Sequence, residues 1–122
     1  MLGPLILIVA RDEHLASLMV QVLQRAGWST LTANLAQEAR DRFTGDVELL
    51  LTDCNLADSS GEELAFYLLN LKSSLRVCFM SGGLPATDRR IPLLPGVNFI
   101  QRPFGAETLV SFIKTVLTRA PE

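Results

Sequence analysis

Asp53 closes the most continuously apolar strand-like run of the chain, Val47-Glu48-Leu49-Leu50-Leu51-Thr52-Asp53, and a polar loop containing Gly61 follows it. A carboxylate at the C-terminal end of a buried strand sits on a rigid element and faces the crevice beyond the strand ends. There it can act as nucleophile, metal ligand or both. Polar groups also follow the other apolar runs: Arg11-Asp12-Glu13 after the first, Cys54-Asn55 beside Asp53, Ser81-Gly82 after the fourth and Arg102-Pro103 after the fifth. The single histidine, His14, has no Cys, Asp or Glu set at ligand spacing on a helix face and reads as a surface residue at a helix start. Cys54 and Cys78 make neither a metal-type pairing nor a disulfide framework, and buried reduced thiols in a cytosolic protein are the expectation.

These residues converge only if the elements between them alternate. Strand-like runs rich in aliphatic residues are separated by amphipathic stretches at helical spacing, the pattern of βαβ units building a parallel sheet. The runs are Leu5–Ala10, Trp28–Ala33, Val47–Asp53, Arg76–Met80 and Val97–Gln101. The second is shorter and more polar, as an edge strand would be. A first helix places Leu15, Leu18, Met19, Val22, Leu23 and Ala26 inward and ends at Gly27. A second spans about Ala36–Phe43, closed by Gly45. A third is capped by Ser59 or Ser60, with Leu64, Ala65, Leu68, Leu69 and Leu71 as its buried stripe. Gly82-Gly83, Pro85, Pro92 and Pro95-Gly96 leave room for only a short or irregular fourth helix, and Ala106–Arg119 forms the last. Right-handed crossovers put helices on both faces of the sheet and all strand C-termini on one edge.

Composition sets the outer bounds. A chain of 122 residues with 48% hydrophobic content suits one domain spanning 1–122, with a core of about 4–119. A net charge of −2, from 11 basic and 13 acidic residues spread along the chain, gives no broad electrostatic footprint for nucleic acid or an anionic membrane. The apolar run from Pro4 to Ala10 is far too short to span a bilayer and lacks a signal-peptide pattern, so no membrane insertion and a cytoplasmic location are expected.

With the strand-end residues collected, the whole chain resembles a response-regulator receiver domain of two-component signalling. That family's pattern is an acidic pair after strand one, a phosphoacceptor Asp after strand three, Ser or Thr after strand four and Lys-Pro after strand five. Asp53-Cys54-Asn55-Leu56-Ala57-Asp58-Ser59-Ser60-Gly61 resembles the family's Asp-x-x-Leu-Pro-x-x-x-Gly stretch, with Ala57 where Pro is usual. Met80-Ser81-Gly82 and Phe99-Ile100-Gln101-Arg102-Pro103-Phe104 fit the later motifs.

The resemblance implies a flavodoxin-like, doubly wound five-stranded parallel sheet of order 2-1-3-4-5. It implies phosphorelay signalling in which Asp53 accepts a phosphoryl group from a phosphohistidine of a histidine kinase or phosphotransfer protein. Asp53 and the Asn55 backbone carbonyl would hold magnesium (Mg2+), Ser81 would bond a phosphoryl oxygen, Arg102 would stand in the Lys position, Phe99 would be the switch aromatic and Pro103 would follow a cis bond. Output, and possible self-association, would use the face of helix four, strand five and helix five. Such a protein is a regulatory domain that takes part in its own phosphotransfer and is not a turnover enzyme.

Two departures bear on the chemistry. Arg102 replaces a compact ammonium with a planar fork. The acidic pair falls on Ala10 and Arg11 when the first helix is aligned without a gap, or on Arg11 and Asp12 with one gap. The four apolar residues Ile6-Leu7-Ile8-Val9 favour the ungapped register. Either way Arg11 puts a cation where a carboxylate should help hold the metal, with Asp12 as the candidate replacement ligand; Arg11 could instead pair with Asp53 and occupy the ion's space. The alternative function is a degenerate receiver that works by protein contact without phosphorylation. A remote one is a flavodoxin-like cofactor binder, for which the loop after strand one lacks the needed glycine. The chain is expected to carry no DNA-binding output domain, as a single-domain regulator or an excised receiver. The run Leu93 to Phe104 resembles receivers at the C-terminus of hybrid sensor kinases.

Overall fold

A computed structural model describes residues 3–81 and 97–118. In chain order the elements are β1 (Leu5–Val9), α1 (Glu13–Arg25), β2 (Ser29–Ala33), α2 (Ala36–Arg42), β3 (Val47–Asp53), α3 (Gly61–Leu71), β4 (Arg76–Ser81), β5 (Val97–Gln101) and α4 (Ala106–Thr118). The strands form one sheet in the order β2-β1-β3-β4-β5, every pairing parallel. This is the doubly wound order that the family resemblance implies, with β2 at an edge, as its short polar run suggested. The expected fourth helix lies outside the described residues, so α4 is the last helix of the sequence reading.

Alternation along the strands sorts the core into two layers. Leu7, Val9, Val47, Leu50, Val77 and Phe79 face α2 and α3. Ile6, Ile8, Leu49, Leu51, Cys78 and Met80 face α1 and α4. A strand covered on both faces must be apolar at successive positions, which is why β3 reads as a continuous run rather than an alternating one. The order of the sheet puts β1, β3 and β4 side by side at its centre, with Val9 level with Thr52 and Asp53 level with Met80. The C-terminal ends of these strands therefore lie together.

Two helix faces differ from the sequence reading. In α1, Ala16, Met19 and Leu23 are buried, whereas Leu18 is 47% exposed. Leu18 lies about 200° around the helix from Ala16, outside the stripe that i, i+3 and i+7 positions share. In α3, Leu64, Ala65 and Leu68 are buried but Leu71, the last helical residue, is 60% exposed. Gly27 does end α1, with a φ of 98°, and Ser60 is the N-cap of α3, its Oγ accepting the N–H of Glu63 at 3.0 Å.

Candidate functional site

Asp53 is buried, with 4% of its surface exposed at the end of the central strand β3. Burying a carboxylate is costly unless its oxygens find partners, and both do. Oδ2 accepts the backbone N–H of Arg11 at 2.9 Å. Oδ1 pairs with the guanidinium of Arg102, whose side chain is 35% exposed against 6% for Asp53. The carboxylate thus bridges the ends of β1, β3 and β5. Arg11 meets Asp53 through its main chain while its residue is exposed; the guanidinium on Asp53 belongs to Arg102. The pairing contemplated for Arg11 is made by Arg102, because the chain turns into α1 immediately after Arg11, leaving its N–H directed at the sheet edge.

The loop after Asp53 is drawn tight. Gly61 N–H donates to the Cys54 carbonyl at 2.8 Å, Leu56 N–H to the Ser59 carbonyl at 2.9 Å, and Asn55 is bridged to Ser60. A Cβ on Gly61 would lie 2.2 Å from the Asp53 carbonyl oxygen and 3.2 Å from the Phe79 ring, so the close approach of α3 to the end of β3 requires glycine. Phe79 in turn stacks on half-buried Phe99, ring centroids 5.9 Å apart. The Arg102–Pro103 bond is cis. Ser81 is the last residue of β4 and pairs with Gln101; its side chain lies outside the described residues, as does Gly82.

Two carboxylates near the site have structural work. Asp12 is the N-cap of α1, its Oδ1 accepting from the N–H groups of His14 at 2.9 Å and Leu15 at 3.3 Å. Asp58, in the loop after Asp53, caps α2: Oδ1 accepts from Ala36 N–H at 2.8 Å and Oδ2 from Gln37 N–H at 3.0 Å. These two bonds, with a smaller contribution from Arg40, hold the Asp58 carboxyl below its ordinary range. Glu38 accepts from Asn34 and Leu35, so two carboxylates satisfy four amides at the start of α2. Sequence reading passed over Asp58, since it caps a helix 22 positions earlier in the chain; its only sequence signal is a carboxylate inside the motif loop.

The magnesium site implied by the resemblance fails on its donor set. Magnesium needs near-octahedral hard oxygen ligands, with carboxylates among them. Here Ala10, fully buried, offers no side-chain oxygen, Arg11 meets the site only through its main-chain N–H, Asp12 is turned to the α1 N-terminus, and both Asp53 oxygens have donors. Among the described residues no group of three His, Cys, Asp or Glu could hold a metal ion. The described residues do not fit the ion.

No family model matches the chain. It is 26% identical over 114 residues to the transcriptional regulatory protein CreB of Escherichia coli (strain K12), an alignment covering 92% of this chain and 50% of that protein. The chain spans about half the length of the curated relatives it matches. Among solved structures, a CheY-like response regulator receiver domain protein from Methanospirillum hungatei JF-1 superposes with a TM-score of 0.85 at 25% identity, covering 96% of this chain and 94% of that one. The receiver domain of the hybrid histidine kinase CckA superposes with a TM-score of 0.78 at 24% identity, covering 93% and 99%. Among the described residues no helix is long and apolar enough to cross a membrane. In fold the chain matches response-regulator receiver domains, and in sequence it is similar to transcriptional regulatory proteins such as CreB.

Proposed function

We propose that this receiver takes a phosphoryl group on Asp53 from a phosphohistidine of a histidine kinase or phosphotransfer partner. The observation that supports it best is the Asp53 carboxylate itself, buried at the strand edge with a guanidinium on one oxygen and a backbone N–H on the other. Phosphoryl transfer asks a protein for a positioned in-line nucleophile and for donors that meet charge on the equatorial oxygens. In the step, a carboxylate oxygen of Asp53 bonds to phosphorus as the P–N bond to imidazole breaks, and the leaving nitrogen keeps the electron pair and takes a proton. Arg102 then moves its charge from the carboxylate to the new phosphoryl oxygens. The Ser81 hydroxyl would bond one of them, and Phe99, stacked on Phe79 beside Gly61, would carry the change to β5 and the adjoining helices, the face proposed for output and for self-association.

A second reading has its own observation: both Asp53 oxygens are engaged in the resting protein, which suits a module that docks a partner without being modified. Incubation with phosphoramidate followed by peptide mass mapping separates the two. The first reading expects one phosphoryl group on the peptide containing Asp53, lost in Asp53→Asn; an unmodified Asp53 peptide favours the second.

A further inference from the structure

The misfit between this site and a divalent cation has a constructive side, which lies in the charge count. The pattern the chain resembles sets three carboxylates and one ammonium together, leaving two negative charges for a divalent ion to neutralise. In this chain the acidic positions carry Ala10 and the main chain of Arg11, and Asp12 is spent on α1. What remains at the site is one carboxylate, Asp53, against one guanidinium, Arg102. The charges already balance. Arg102 is the cation that faces the carboxylate.

Arginine suits that position better than lysine would. Its planar fork can give two parallel N–H bonds to a tetrahedral oxyanion, its charge is permanent, and it sheds water more readily than an ammonium. Its side chain is 35% exposed, so it can swing from the carboxylate onto an incoming phosphoryl group without leaving the crevice. The Arg11 N–H is fixed by the start of α1 and supplies a second donor at no cost in side-chain ordering.

We propose that phosphoryl acceptance at Asp53 is independent of divalent metal, Arg102 and the Arg11 amide supplying the charge and donors that an ion would otherwise provide. This rests on Asp53 being the acceptor. The step balances without an ion: the P–N bond of the donor breaks, an Asp53 oxygen–phosphorus bond forms, and the amine leaves with the electron pair and a proton.

The test is labelling of the full chain by phosphoramidate, read by intact mass and peptide mapping, in excess EDTA and in excess Mg2+. Equal labelling of Asp53 in both is the expected result. Labelling only with Mg2+ would overturn metal independence while leaving Asp53 as the acceptor; no labelling in either would overturn both. Arg102→Met should slow labelling about a hundredfold in both media, the usual effect of removing one preorganised oxyanion donor, whereas unchanged labelling in a folded Arg102→Met protein would contradict the role given to Arg102. Labelling of the wild type in EDTA decides the matter even if that variant fails to fold.

Discussion

A buried carboxylate held by one guanidinium and one amide is stable only as a set. Arg102→Met leaves the Asp53 charge with a single donor. Deleting one partner of a fully buried pair costs about 3–5 kcal/mol, and because Arg102 is 35% exposed the expected loss is nearer ~1–3 kcal/mol once solvent screening is allowed for. The shift of the urea midpoint measures it, and adding Asp53→Asn to the same chain should return most of the loss. Gly61→Ala sets a methyl 2.2 Å from the Asp53 carbonyl oxygen, a backbone clash that no rotamer relieves, and should cost about 2–3 kcal/mol by the same denaturation measurement. Gly61 and Asp53 were legible in the sequence, because the loop between them carries a spaced motif. The owner of the guanidinium on Asp53 was not. Arg11 follows β1, next to β3, and Arg102 follows β5, one strand further away, and the choice between them depends on whether the side chain or the main chain of Arg11 faces the crevice.

At the scale of elements, two helices start on carboxylates that the sequence offered for other uses or not at all. Asp12 stood as a possible metal ligand and is instead the cap of α1. Asp12→Ala should destabilise the protein by about 1 kcal/mol, the ordinary worth of a helix N-cap, seen as a lower thermal midpoint. Asp58 clasps the motif loop to the start of α2. Its carboxyl is held below the ordinary value of 3.8 in the folded chain, so the stability it contributes is complete above that value and is lost as pH falls through the lower folded one. The difference in unfolding free energy between the wild type and Asp58→Ala should thus be constant at neutral pH and shrink on acidification below about pH 4; a difference that grows on acidification would contradict the clasp. The local cap Ser60 was readable because cap and helix adjoin in sequence. Asp58 was hidden because only the folded sheet brings its loop against α2.

For the molecule as a whole, the parallel α/β architecture was legible because β1, β3 and β4 are apolar on both faces and the helices between them carry 3.6-residue stripes, whereas the strand order was implied by the family resemblance alone. The width of those stripes was less so: Leu18 and Leu71 are aliphatic at the margins of their faces and stand 47% and 60% exposed. The fold gathers Asp53, the Arg11 amide and Arg102 from three strand ends, while the sequence places Ala10 and Arg11 after β1 and Asp12 caps α1, so Asp53 faces one guanidinium with no second carboxylate among its described partners. The proposed phosphoryl acceptance at Asp53 is checked by peptide mass mapping of the protein after exposure to phosphoramidate. One added phosphoryl group on the peptide that contains Asp53, absent from Asp53→Asn, is the predicted result; an unmodified Asp53, or a phosphoryl group carried elsewhere and retained in Asp53→Asn, would contradict it.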